Sequence, residues 1–149
     1  MSHPPTLRHC VLALVLTAVL VPATGSLAGA TIPTIRLDDL SQHPSVRPTR
    51  FEVTNDVALS GLHWSHWGAS AATSTGTLRI NTCKPNCARG QIRVLQAAQL
   101  QVRGVRNDQG SRYYRQYRIV DQAFSPSERA AYSRWTNAYV PSDFQEATH

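Results

Sequence analysis

The chain has 149 residues, 42% of them hydrophobic, and carries 15 Lys+Arg against 9 Asp+Glu, a formal charge of +6. A chain of that length reads as one domain's worth, enough for a single core. The basic balance points to anionic partners and specifies no activity.

Residues 1–10 carry Arg8 and no acid, residues 11–21 are apolar but for one threonine, and residues 22–30 turn small and polar. That is the order of a secretory signal peptide. The apolar run of about 11 residues falls short of the ~20 that a membrane span needs. Ala28-Gly29-Ala30 fits the A-x-A cleavage rule, so residues 1–30 are read as a signal peptide cut after Ala30, with Ala28 as the alternative. Cys10 leaves with it. The mature chain is then secreted or envelope-associated, with no stable membrane span. Its basic residues are nearly all arginine, Lys84 being the one lysine. Outside the cell its partners are anionic envelope polymers or another secreted protein, and nucleic acid is not expected.

Residues 31–48 hold three prolines and no apolar period, and read as an extended, disordered leader. Asp38-Asp39 within it reads as a solvated pair. A β domain with a C-terminal helix is expected over 49–141 and a frayed tail over 142–149. Residues 50–54 alternate and end at the turn pair Asn55-Asp56. In 57–67, Val57 and Leu59 share one parity, Leu62 and Trp64 the other, which predicts a bulge at Gly61. Residues 71–76 are small and serve either as a hairpin connection or as the start of a strand over 77–82. From Gln91 the even positions Ile92, Val94, Ala98, Leu100 and Val102 are apolar, a strand signal that outweighs the helix propensity of 94–101. A turn at 107–110 returns the chain through 112–120, with Tyr113, Tyr117 and Ile119 on one face and Arg112, Tyr114 and Arg118 on the other. Ser125-Pro126-Ser127-Glu128 is a capping box opening a helix to about Ala138, with Ala131, Trp135 and Tyr139 in one stripe.

Cys83 and Cys87 are four apart with Pro85 and Asn86 between them, residues suited to a β-turn that would let the pair close. A structural disulfide is the leading reading in an oxidising compartment. Two alternatives remain: a thiol–disulfide redox pair, and a zinc site joining both cysteines to His63 and His66. The exposed Lys84 turn would also suit a protease inhibitor. Trp64 belongs with Leu62 in the core, while Trp67 either covers the cysteine corner or forms with Trp64 an aromatic platform for glycans. The solvent face of the last hairpin collects Arg93, Arg103, Arg112, Tyr114 and Arg118, with Arg106 in the connecting loop, a basic surface with an interleaved aromatic. No Ser/His/Asp set with a motif around the serine, no Gly-rich phosphate loop and no carboxylate pair in a definable cleft is found, and no cofactor or catalytic residue is assigned.

The run Leu62-His63-Trp64-Ser65-His66-Trp67-Gly68 and the corner Cys83-Lys84-Pro85-Asn86-Cys87-Ala88-Arg89-Gly90 resemble a group of small, secreted, uncharacterised actinobacterial proteins. These share a W-x-x-W-G segment and a C-x-P-x-C-A-x-G corner. The resemblance implies export and a small β domain, and brings no activity or site residue. The sequence therefore predicts a mainly β protein, an antiparallel β-sandwich or open barrel of about five or six strands with one C-terminal helix. Its expected role is non-catalytic binding of anionic polymers through the Arg/Tyr face.

Overall fold

The computed structural model describes residues 34–145; the expected signal peptide, both cleavage positions and residues 146–149 lie outside them. Strands β1 (Ile35–Arg36), β2 (Arg50–Thr54), β3 (Val57–Ser65), β4 (Ala71–Asn81), β5 (Ile92–Asp108) and β6 (Ser111–Val120) precede helix α1 (Pro126–Tyr132) and strand β7 (Thr136–Asn137). They form one sheet in the order β1-β6-β5-β4-β3-β2, with β7 also on β6. The sheet curls into a half-barrel, the open-barrel form of the expected mainly β fold. Every pairing is antiparallel except β1 on β6.

The concave side holds the core, with Phe51, Leu59, Leu78, Leu100, Val102 and Ile119 all but inaccessible to solvent. Phe51 meets Tyr117 edge-on across the curl, with ring centres 4.9 Å apart. Near the tip of the β3–β4 hairpin the core is closed by Trp64, Trp67 and Tyr114. Where β6 runs out, Phe124 and Tyr132 pack at 5.8 Å beneath α1.

Three departures from strict alternation set which residues face out. The register of β3 on β4 shifts between Ser60 and His63, where Gly61 has φ +62°, so the bulge expected at Gly61 is present. It returns Leu62 to the core side and half-buries Trp64 against it. A second bulge was not legible: Gly76 pairs with Ala98 but Leu78 with Leu95, leaving two β5 residues opposite one on β4. Ile92 and Val94 consequently leave the core face assigned by their even numbering and are 47% and 42% exposed. Gly104 marks the third departure, with φ +70° inside β5. Ile119 and Tyr117 face inward on β6, and the next inward residue is Tyr114, three positions on rather than two.

The leader is corrected. Ile35 and Leu37 are 1% and 2% exposed, and Leu37 and Ser45 exchange both backbone hydrogen bonds at 3.0 Å. The Asp39 carboxylate accepts from the Ser41 N–H (2.9 Å) and the Glu52 N–H (2.6 Å), so it anchors the edge of β2. Three prolines obscured a segment whose two apolar side chains are core. The capping box is present, with Ser125 Oγ accepting from the Glu128 N–H and Glu128 Oε2 from the Ser125 N–H. The helix nevertheless ends at Tyr132 rather than Ala138. Ser133 Oγ donates to the Ile119 carbonyl, and residues 136–137 pair with the open edge of β6, so tertiary hydrogen bonds override helix propensity. The tail is also ordered as far as Gln145: a 3-10 turn, Pro141–Phe144, is fixed by Asp143 on Arg115 at 2.6 Å and by Ser142 on Asp108.

Candidate anion-binding face

Outward positions of four neighbouring strands lie in register on the convex side. Gln101 pairs with Arg118 and with Thr73, Gln99 with Thr75, and Arg103 with Gln116. His63 and Ser65 continue these rows opposite Thr75 and Thr73. Trp135 lies over the Arg end of the face. The Arg103 guanidinium carbon sits 3.9 Å and that of Arg118 4.6 Å from its ring centre. Cation–π attraction holds both cations on one ring.

Each guanidinium is also oriented through its Nε–H. Arg103 donates to Gln116 Oε1 at 3.0 Å and Arg118 to Gln101 Oε1 at 2.8 Å. The Gln101 amide nitrogen in turn reaches Gln99 Oε1 at 3.3 Å. Among the described residues neither arginine has a carboxylate partner; the ion pairs are Arg50–Glu52, Arg93–Glu128 and Arg115–Asp143. Two positive charges are thus held together with their terminal Nη groups available.

The other members of the expected face lie elsewhere. Tyr114 is fully buried. Its Oη accepts from the Gly68 N–H at 3.0 Å and donates to the Ala69 carbonyl at 2.8 Å, and burial pushes its pKa above the usual phenol value. The parity change opposite Gly104 put it inside. Arg112 pairs with Asn107 near the end of the β5–β6 hairpin, and its charge works against the rise in the Tyr114 pKa. Arg93 turns toward α1, reaching the Ala123 carbonyl at 2.5 Å and Glu128 at 3.0 Å. Arg106 is exposed on β5 opposite Tyr113, and is part of the strand rather than of a loop. Only Arg103 and Arg118 meet, and their aromatic partner is Trp135, which the expected helical stripe had placed on another element.

The two other tryptophans form no platform. Their rings meet edge to face at 4.6 Å against the core. Their indole N–H groups donate to main-chain carbonyls, Trp64 to Pro48 at 2.7 Å and Trp67 to Ile35 at 3.2 Å. Both rings reach the core because the strand ends at Ser65, and His66, at φ +59°, turns the chain.

Cys83 and Cys87 are bonded, with Cα atoms 3.8 Å apart. Asn81 organises the corner: its Nδ2 donates to Cys87 O and Asp56 Oδ1, and its Oδ1 accepts from the Cys83 N–H. Gly90 is required there because a Cβ would lie 2.0 Å from Asn81 Oδ1. The four residues considered for zinc do not converge. His63 pairs with Thr75, six residues up β4 from Asn81, which at about 3.4 Å per residue is roughly 20 Å from the corner. Asp56 lies near both sulfurs, but disulfide sulfurs are not thiolate ligands. No helix among the described residues is long and apolar enough to cross a membrane.

No protein-family model, curated protein or solved structure matches the chain.

Proposed function

We propose that the protein is an exported, non-catalytic binding protein that engages anionic polymers of the cell envelope through Arg103, Arg118 and Trp135. The observation that carries this reading is the pair of guanidiniums stacked on one ring without a carboxylate. Placing two like charges side by side costs energy that an anion recovers, and guanidinium forks match planar oxyanions. Export rests on the order of the first 30 residues and on the likeness to a secreted group. The disulfide suits an oxidising compartment.

The test is retention on a polyanion-coated resin at low salt. Arg103→Ala with Arg118→Ala should elute at clearly lower salt than the unaltered protein, whereas unchanged retention sinks the reading. Export is tested by N-terminal sequencing of protein recovered from the medium. A start at Thr31 or Gly29 supports it, and an intact Met1 in intracellular protein overturns it.

A further inference from the structure

We infer that the ligand of this face is an acidic polysaccharide of the uronate type, with one carboxylate taken by Arg103 and Arg118 and neighbouring neutral hydroxyls met by the rows beside them. The inference rests on the binding reading above and narrows it to a chemical class.

The charge pattern decides between polyanions. Outward from the Arg pair the face continues over Gln101, Gln99, Thr73 and Thr75 to Ser65 and His63, with neither a carboxylate nor a third arginine in these rows; Arg79, exposed at the same parity of β4, lies four residues beyond Thr75. Four strands at about 4.8 Å spacing make this roughly 14 Å wide. A polyphosphate carries charge on every link, and sites for such chains set cations along the whole track. Here most of such a chain would lie over neutral groups. A sugar acid concentrates its charge on one carboxylate and surrounds it with hydroxyls that both donate and accept. Glutamine amides and threonine hydroxyls also do both.

Part of the surface is ordered in advance. The Gln101 amide is fixed at both ends, its oxygen by the Arg118 Nε–H and its nitrogen by Gln99 Oε1. Backbone pairing sets the spacing of the threonines on β4 and the glutamines on β5. A ligand therefore meets side chains whose rotamer freedom is already reduced, which favours binding.

The experiment compares polygalacturonate, long-chain polyphosphate and neutral dextran in calorimetric titrations at one moderate salt concentration. Three proteins are used: the unaltered chain, Arg103→Ala with Arg118→Ala, and Thr75→Val with Ser65→Ala, two exposed residues that hold neither arginine. The unaltered protein should bind polygalacturonate, bind polyphosphate more weakly and leave dextran unbound. The arginine variant should lose at least tenfold. The neutral variant should weaken polygalacturonate alone, by about fivefold per lost hydrogen bond, with its thermal midpoint unmoved because both sites are on the surface. Equal or tighter binding of polyphosphate, or a neutral variant that binds polygalacturonate normally, overturns the polysaccharide inference and leaves the binding reading standing. Failure of the unaltered protein to bind either polyanion overturns both.

Discussion

The Tyr114 hydroxyl donates to the Ala69 carbonyl at 2.8 Å, tying β6 to the tip of the β3–β4 hairpin 45 residues away in sequence. The same oxygen accepts from the Gly68 N–H, and the Tyr114 ring packs edge-on against Trp67 at 5.1 Å. One phenol thus satisfies two main-chain groups of a loop and buttresses the indole beneath it. Tyr114→Phe keeps the ring and strands both groups. With the loop partly accessible to water, a loss of about 1–2 kcal/mol is expected, read from the urea midpoint, together with a change in tryptophan emission. An unchanged midpoint and spectrum would show that the hairpin tip is held by other contacts.

The bulge in β5 makes a sharper demand. Ile92 and Val94 look as apolar and as regularly spaced as Leu100 and Val102, yet the former are exposed and the latter fully buried. Ile92→Ser and Val94→Ser should each change stability by less than about 0.5 kcal/mol. Leu100→Ala should cost about 2–5 kcal/mol. Comparable costs at Val94 and Leu100 in urea unfolding would place both on one face and remove the bulge.

That contrast shows how far alternation could be followed in the sequence. Gly61 announced its bulge, because a glycine sat where the parity of apolar residues changed. Gly104 carried a similar signal, a glycine within a strand, but the turn assigned to 107–110 drew the hairpin as regular up to that point. Gln96-Ala97-Ala98 carried none: small and amphipathic residues fit either face. The start of α1 was legible because Ser125 and Glu128 cap it through local hydrogen bonds. Its end was not, since the competing bonds come from Ile119 and the open edge of β6. Trp135 was misplaced for that reason, and with it the aromatic half of the candidate site. Both arginines lie at outward positions, Arg103 exposed and Arg118 half-buried; their convergence depends on the register of Gln101 on Arg118, which no local pattern encodes.

At the cysteine corner the glycine and the asparagine should behave as one unit. Gly90→Ala puts a methyl into the space of Asn81 Oδ1 and must displace that side chain or the Cys83 N–H it accepts from. Asn81→Ala removes the obstruction along with its hydrogen bonds. Each single change should destabilise by about 1–3 kcal/mol, and the double variant by much less than their sum. Unfolding midpoints of the four proteins complete the cycle. Additive costs would mean that Gly90 is needed for its backbone and not for the room it leaves.

Asp38 supplies a pH dependence. Its side chain is 1% exposed, with Oδ1 accepting from the Asp39 N–H at 2.9 Å. Burial raises its pKa above the ordinary carboxylate value of 3.8; the Asp39 N–H and His43 oppose the rise, and the Asp39 and Asp143 charges add to it. The folded chain therefore holds this proton more tightly than the unfolded chain. The group's contribution to stability is complete below pH 3.8 and is lost as pH rises through the elevated folded value. Asp38→Asn keeps an oxygen for the Asp39 N–H and cannot ionise. Relative to the unaltered protein it should gain stability steadily as the solution is brought from acid to neutral, with the difference vanishing at the acid end. Contributions of groups that do not interact with Asp38 are common to both proteins and cancel in the comparison. A difference in urea midpoints that stays flat with pH, or that favours the aspartate at neutrality, would mean that the charge of Asp38 is stabilised in the fold.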